Sequence, residues 1–82
     1  MIHISIGPHV ADLLRERRER HIAITPDLDF IKEGIVDSLS LLRFVLDLEK
    51  AFAIELSNEE IASLEFRTFA GVCAIIERKL QP

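Results

Sequence analysis

The stretch DSLSLLRFVLDLEKAF, residues 37–52, carries two apolar patterns at once. Leu41, Phe44, Val45, Leu48 and Phe52 recur at i, i+3, i+4, i+7 and i+11, the spacing of one face of an α-helix. The pattern predicts a helix that opens at Asp37 or Ser38 and runs to about Ala53. With Leu41 set at zero and about 100° per residue, Leu42, Leu46 and Leu39 fall near 100°, 140° and 160°. They form a second stripe, roughly 130° from the first. A small bundle does not easily bury both faces of one helix, so part of this stripe is expected to face solvent or a partner. Asp37, Arg43, Asp47, Glu49 and Lys50 would rim it as a docking face. The competing arrangement wraps the stripe under the apolar residues of the preceding loop.

Working outward, three more helices are expected. Pro8 after Gly7 suits a helix start, and Val10, Leu13 and Leu14 give it an apolar face. Ser57 with Glu60 three residues on is a capping-box signal for a short third helix holding Ile61 and Leu64. Thr68 can cap a last helix whose face is Phe69, Val72, Cys73, Ile76 and Leu80. Gly71 costs that helix about 1 kcal/mol against Ala. Between the first two helices, residues 21–37 read as a long loop. Pro26, Asp27, Asp29 and Gly34 disfavour a regular helix there, and the apolar residues suggest that the loop is packed down. Ile2, Ile4 and Ile6 alternate like a strand with nothing to pair with, so residues 1–7 are set aside as a flexible extension. The expectation is one all-α domain over residues 1–82, a small four-helix bundle with a long loop between helices 1 and 2.

Composition agrees with a globular chain: of 82 residues 49% are hydrophobic and 29% charged, with no Trp or Tyr. Net charge is −4 and is concentrated in residues 21–66, which carry ten acids against Lys32, Arg43 and Lys50. An acidic middle argues against nucleic acid and for a basic protein partner. The run RERRERH, residues 15–21, invites a nucleic-acid-binding reading, but Glu16 and Glu19 dilute it and Arg near a helix C-terminus complements the macrodipole. The single cysteine, Cys73, excludes an internal disulfide and a Cys-type metal cluster, and it fits a reducing compartment. No apolar run reaches the length of a membrane span and no secretory signal is visible, so a cytoplasmic monomer is expected.

Ser38 has three readings. It can sit in the first turn of a helix capped by Asp37, where both residue types are common. It could be a nucleophile, but His3, His9 and His21 all lie in the first quarter of the chain, and no Gly-x-Ser-x-Gly elbow is present. It could be a modification site, since the dipole at a helix start suits a phosphate ester. Capping and modification are both compatible with the residues.

The stretch FIKEGIVDSLSLLRFVLDLEKAFAIELSNEE, residues 30–60, resembles the acyl and peptidyl carrier protein family. The resemblance rests on Asp37-Ser38-Leu39 at a helix start, the following LEKAF, the acidity and the helix order, over about residues 8–80. It implies a four-helix bundle without catalysis of its own, whose serine carries 4′-phosphopantetheine and, on that arm, a thioester. By the resemblance Ser38 is the attachment site, and Asp37 supports the phosphopantetheinyl transferase and its magnesium. Leu39, Leu42 and Leu46, with Arg43, Asp47 and Lys50 beside them, meet partner enzymes: an acyl- or aminoacyl-activating ligase and downstream transferases. Cys73 is then a buried apolar residue rather than the acyl-bearing thiol. Gly34 stands earlier than the glycine of the Gly-x-Asp-Ser-Leu pattern of many fatty-acid carriers, and Arg43 and Lys50 make the docking face less acidic. The lead-in KEGIVDSL is similar to aminoacyl carriers, which favours a specialised carrier. The alternatives are an unmodified helical interaction module and a nucleic-acid-binding helical domain.

Overall fold

A computed structural model of the chain describes residues 6–15, 23–37 and 39–81. Four α-helices lie among them: α1 (Ile6–Arg15), α2 (Leu41–Phe52), α3 (Asn58–Ile61) and α4 (Phe69–Leu80), with a 3-10 helix at Leu64–Arg67 between the last two. The only β-type pairing among the described residues is an isolated antiparallel bridge between Asp29 and Thr68. The all-α, four-helix expectation therefore holds.

The first helix begins earlier than Pro8. Ile6 and Gly7 already belong to it, so these two are not part of a flexible extension, while residues 1–5 lie outside the described residues. Pro8 is tolerated as the third residue because the first-turn N–H groups have no intrahelical partner for a proline to remove. Val10, Ala11 and Leu14 are buried against α2 and α4.

α2 carries the centre of the core. Phe44, Val45, Leu48 and Phe52 are buried, as their spacing requires, and Leu41 packs at the edge. Phe30 from the loop, Phe44 and Phe66 meet as three fully buried rings, with centroids 5.3–6.3 Å apart in edge-on and tilted arrangements. The ring of His9 lies against Phe52 at 5.1 Å, as a boundary residue of the core. The helix ends at Ala53, whose φ of 56° places it in the left-handed region and lets its N–H reach the Glu49 carbonyl.

The long loop is packed down, with Phe30, Ile35 and Val36 buried. Asp29 organises it. Its Oδ1 accepts from the N–H groups of Ile31 and Lys32 at 3.2 and 2.9 Å. Its Oδ2 lies 3.4 Å from Arg67 Nε, close enough for an ion pair but not aligned as a hydrogen bond. The backbone joins in: Phe30 N–H donates to the Arg67 carbonyl, Phe69 N–H to Leu28 and Ala70 N–H to Pro26. These bonds stitch the loop to the head of α4. Gly34 closes the turn begun at Ile31, its N–H donating to the Ile31 carbonyl at 3.1 Å, with φ 75°, a conformation that a side chain disfavours.

Three expectations in the second half are corrected. Leu64 is not in the third helix; it opens the 3-10 helix and is 82% exposed. The capping box itself is present, with Glu60 N–H donating to Ser57 Oγ and Ser57 N–H to Glu60 Oε1, but it supports a helix of one turn only. On α4 the buried positions are Val72, Ile75 and Ile76, whereas Phe69 and Cys73 are half-buried and Leu80 is exposed. The apolar face turns toward Ile75 because the 3-10 helix packs along α4 and covers that side. Burial still pushes the Cys73 thiol up, with the nearby Glu77 charge adding to it. Gly71 is also more than a weak helix former. A Cβ built on it would overlap the carbonyl oxygen of Glu65. Only glycine lets the 3-10 helix approach α4 this closely, while Thr68 Oγ1 caps the helix by accepting from Gly71 N–H at 3.0 Å.

Candidate functional site

The chain reaches the head of α2 through a turn at residues 37–40. The regular helix opens at Leu41, later than the expected Asp37 or Ser38. A side-chain cap lies ahead of it, at Asp37. Asp37 Oδ1 accepts from the N–H of Leu39 at 3.0 Å, the N–H of Ser40 at 2.8 Å and the Ser40 hydroxyl at 3.0 Å. In return Asp37 N–H donates to Ser40 Oγ at 3.0 Å, and the Asp37 carbonyl accepts from Leu41 N–H at 2.9 Å. This is a reciprocal capping box with aspartate at the cap and serine three residues on. Hydrogen bonds from the Ser40 backbone first, and from its hydroxyl next, hold the Asp37 carboxyl below the usual carboxylate range against a small desolvation effect. Two N–H groups just ahead of the helix, those of Leu39 and Ser40, are thus taken up by the Asp37 carboxylate.

Ser38 itself lies outside the described residues. Its two sequence neighbours, Asp37 and Leu39, are exposed at the mouth of α2. Sequence reasoning found Asp37 and missed Ser40. The signal was present as Asp37-x-x-Ser40, the spacing that was read correctly at Ser57 and Glu60.

From this turn the second leucine stripe runs along the outside of α2. Leu39, Leu42 and Leu46 are 90%, 66% and 52% exposed, so the loop does not wrap them. Arg43 and Lys50 are exposed beside them, and Arg43 Nε lies 3.5 Å from Asp47 Oδ1 one turn on. Glu49 does not belong to the rim. Its Oε2 accepts from Leu56 N–H at 2.9 Å and braces the chain leaving the helix. The basic run beginning at Arg15 is described only at that residue, which lies 3.6 Å from Asp12; residues 16–22 lie outside the described residues.

A family model described as "Phosphopantetheine attachment site" matches residues 8–76, most of the chain. The chain belongs to this phosphopantetheine-binding carrier family. Three D-alanyl carrier proteins of Lactococcus lactis are similar to it: those of subsp. cremoris strains MG1363 and SK11 and of subsp. lactis strain IL1403. Each is 32% identical over 53 residues, which is 65% of this chain and 67% of the relative.

The carrier bears a covalent 4′-phosphopantetheine and works with partner enzymes of the transferase and ligase kinds. The site's geometry fits that group. Asp37 and Leu39 stand exposed just ahead of α2, with the exposed Leu42 and Leu46 beside them. The family assignment takes the carrier reading over the unmodified interaction module and the nucleic-acid-binding domain. No helix among the described residues is long and apolar enough to cross a membrane.

Proposed function

We propose that Ser38 is the attachment residue and that the chain is an aminoacyl or short-acyl carrier with no catalysis of its own. One observation carries the reading: the exposed turn bounded by Asp37 and Ser40 leads directly into the exposed Leu39, Leu42 and Leu46. In this reading the serine hydroxyl takes a phosphodiester, and the arm when bound supplies a thiol that holds cargo as a thioester. The protein's own residues do the rest. Asp37 and Ser40 fix the turn, and the phosphopantetheinyl transferase meets it there. Leu39, Leu42 and Leu46 offer apolar contact to the ligase that activates the cargo and to the enzymes that receive it, and Arg43, Asp47 and Lys50 set the charge pattern around that contact. Apolar centre and mixed-charge rim favour partners that are not uniformly basic.

The aminoacyl cargo is supported by the D-alanyl carrier relatives and by the lead-in KEGIVDSL. The free Cys73 suits a reducing compartment, and we read the site of action as the cytoplasm. Intact-mass measurement after incubation with coenzyme A and a broad-specificity transferase tests the attachment. The wild-type chain is expected to gain one arm and Ser38→Ala none. An arm on Ser38→Ala would place the site elsewhere. Loading of the modified carrier by a D-alanine-activating ligase, set against a fatty-acid-activating one, separates the two cargo classes.

A further inference from the structure

We infer that Arg43 and Lys50 select the partner of the leucine face: the ligase that loads the arm meets α2 with carboxylates set about 10 Å apart along the helix, on either side of an apolar socket for Leu46. The inference rests on the outer face of α2 being the docking surface of the proposed function. It adds the sign and the spacing of the charge that the partner presents there.

Helix stability does not account for Arg43. It is the third residue of α2, and no acidic residue stands in that first turn. The partial positive charge at a helix N-terminus favours an anion there and disfavours a cation. The pair with Asp47 offsets little of this. Arg43 Nε lies 3.5 Å from Asp47 Oδ1, with the Arg43 side chain 77% exposed. Exposed pairs of this kind contribute little, and less when the cation precedes the acid along the helix. Lys50, in the last turn, does complement the helix dipole, but its exposed ammonium has no ion-pair partner among the described residues.

The two cations bracket the apolar contact. Leu46 follows Arg43 by three residues and precedes Lys50 by four, so the three side chains share one side of the helix with Leu46 in the middle. Leu42, one turn before Leu46, extends the contact. The acids nearby have other work. Glu49 holds Leu56 N–H, Asp37 holds the N–H groups of Leu39 and Ser40, and Asp47 is paired with Arg43. The free charge on this face is therefore positive, although the chain as a whole carries −4. A protein drawn by net charge alone would be basic, and it would bring like charges together as it seated on Leu42 and Leu46. A face with carboxylates at the two flanks meets no such penalty, so the arrangement admits the second kind of partner and rejects the first.

The experiment measures loading of the full chain carrying its arm, at about 0.05 M and about 0.5 M salt. The probe is whichever of a D-alanine-activating and a fatty-acid-activating ligase loads the wild type. Arg43→Glu, Arg43→Gln and Lys50→Glu are compared with the wild type and with Arg15→Glu, which makes the same change of net charge on α1. At low salt Arg43→Glu and Lys50→Glu are each expected to raise KM about tenfold, and Arg43→Gln about threefold, with kcat within about twofold. High salt is expected to bring all three within about twofold of the wild type, and Arg15→Glu to load as the wild type does throughout. An unchanged KM in the two face-reversal variants overturns the inference, and a lowered one does so by showing a basic partner face. So does an equal loss in Arg15→Glu, which would make net charge the cause, or a loss that salt does not diminish, which would make packing the cause. Binding to phosphatidylglycerol vesicles that Lys50→Glu abolishes would assign the face to lipid, and a dimer that Lys50→Glu dissociates would assign it to a second copy; either overturns the inference. The attachment reading fails separately: an arm on Ser38→Ala would move the modified residue and leave the charge series standing.

Discussion

α2 and the segment from α3 through the 3-10 helix are held in place by different physics. α2 buries four large apolar side chains in the centre of the molecule. α3 buries none, and the 3-10 helix buries only Phe66. Apart from Phe66 and the half-buried Ile61, the second segment is tied by polar contacts: the Ser57–Glu60 box, a two-pronged pair from Arg78 to Glu65 at 3.0 and 2.7 Å, and Lys79 Nζ to Glu60 Oε1 at 2.9 Å. Burial is non-directional and insensitive to pH, whereas ion pairs at a surface are screened and titrate. In the proposed function, where the outer face of α2 meets partners, anchoring that helix by its inner face alone leaves the outer face free for them.

The sharpest way to break this comparison is Phe52→Ala. The ring is 2% exposed and lies against His9, so its loss is expected to destabilise by about 3–5 kcal/mol in urea unfolding. An unchanged midpoint would mean that α2 is not anchored by this face. Next in size is Gly71→Ala. Its methyl group must displace the Glu65 carbonyl, backbone rather than a flexible side-chain end, and about 1–3 kcal/mol should be lost. On helix propensity alone the same change would stabilise, so the sign of the measured shift decides whether the close approach is real.

Much of this contrast was legible in the sequence. The i, i+3, i+4 spacing located α2 and separated its two faces, and the caps at Ser57 and Thr68 were read from residue type and spacing. What was not legible came from tertiary contact. Gly71 reads as a weak helix residue until a neighbouring carbonyl is seen beside it. Leu64 fits a helical spacing that the chain abandons after one turn. Glu49 looks like a rim charge until the following loop turns back to meet it. Ser40 was missed because a serine after a serine and a leucine in a helix start does not stand out until the Asp37 backbone is seen to donate to it.

Acid should loosen the polar segment, and with it the Asp37 cap ahead of α2, while the buried face of α2 is spared. The Lys79 ammonium, then the Ser57 backbone, hold the Glu60 carboxyl below the usual range; the Arg78 guanidinium does the same for Glu65, and Glu60 nearby opposes it. Both folded-state values are depressed, so this stabilisation is complete above the unfolded value of about 4.5 and is lost as pH falls through the lower folded values. Hydrogen exchange at residues 58–67 is expected to quicken below that pH, and on raising salt to about 1 M, before the amides of the buried residues Phe44, Val45, Leu48 and Phe52 respond. Equal quickening in both segments would show that the ion pairs do not set the local stability.

The smallest change in stability is expected from Leu42→Glu, and it tests the outer face. Leu42 is 66% exposed and is not among the side chains packed against the core, so a carboxylate there is expected to move the unfolding free energy by no more than about 0.5 kcal/mol. Its cost should appear instead in the rate at which a partner ligase loads the arm, because an apolar contact is replaced by a solvated charge that must be stripped of water on docking. The two readouts bear on separate links. A destabilised variant would mean that the stripe packs on something in solution, and the one-sided anchoring of α2 would be wrong. A stable variant that loads at the wild-type rate would leave the anchoring intact and move the docking surface away from these leucines.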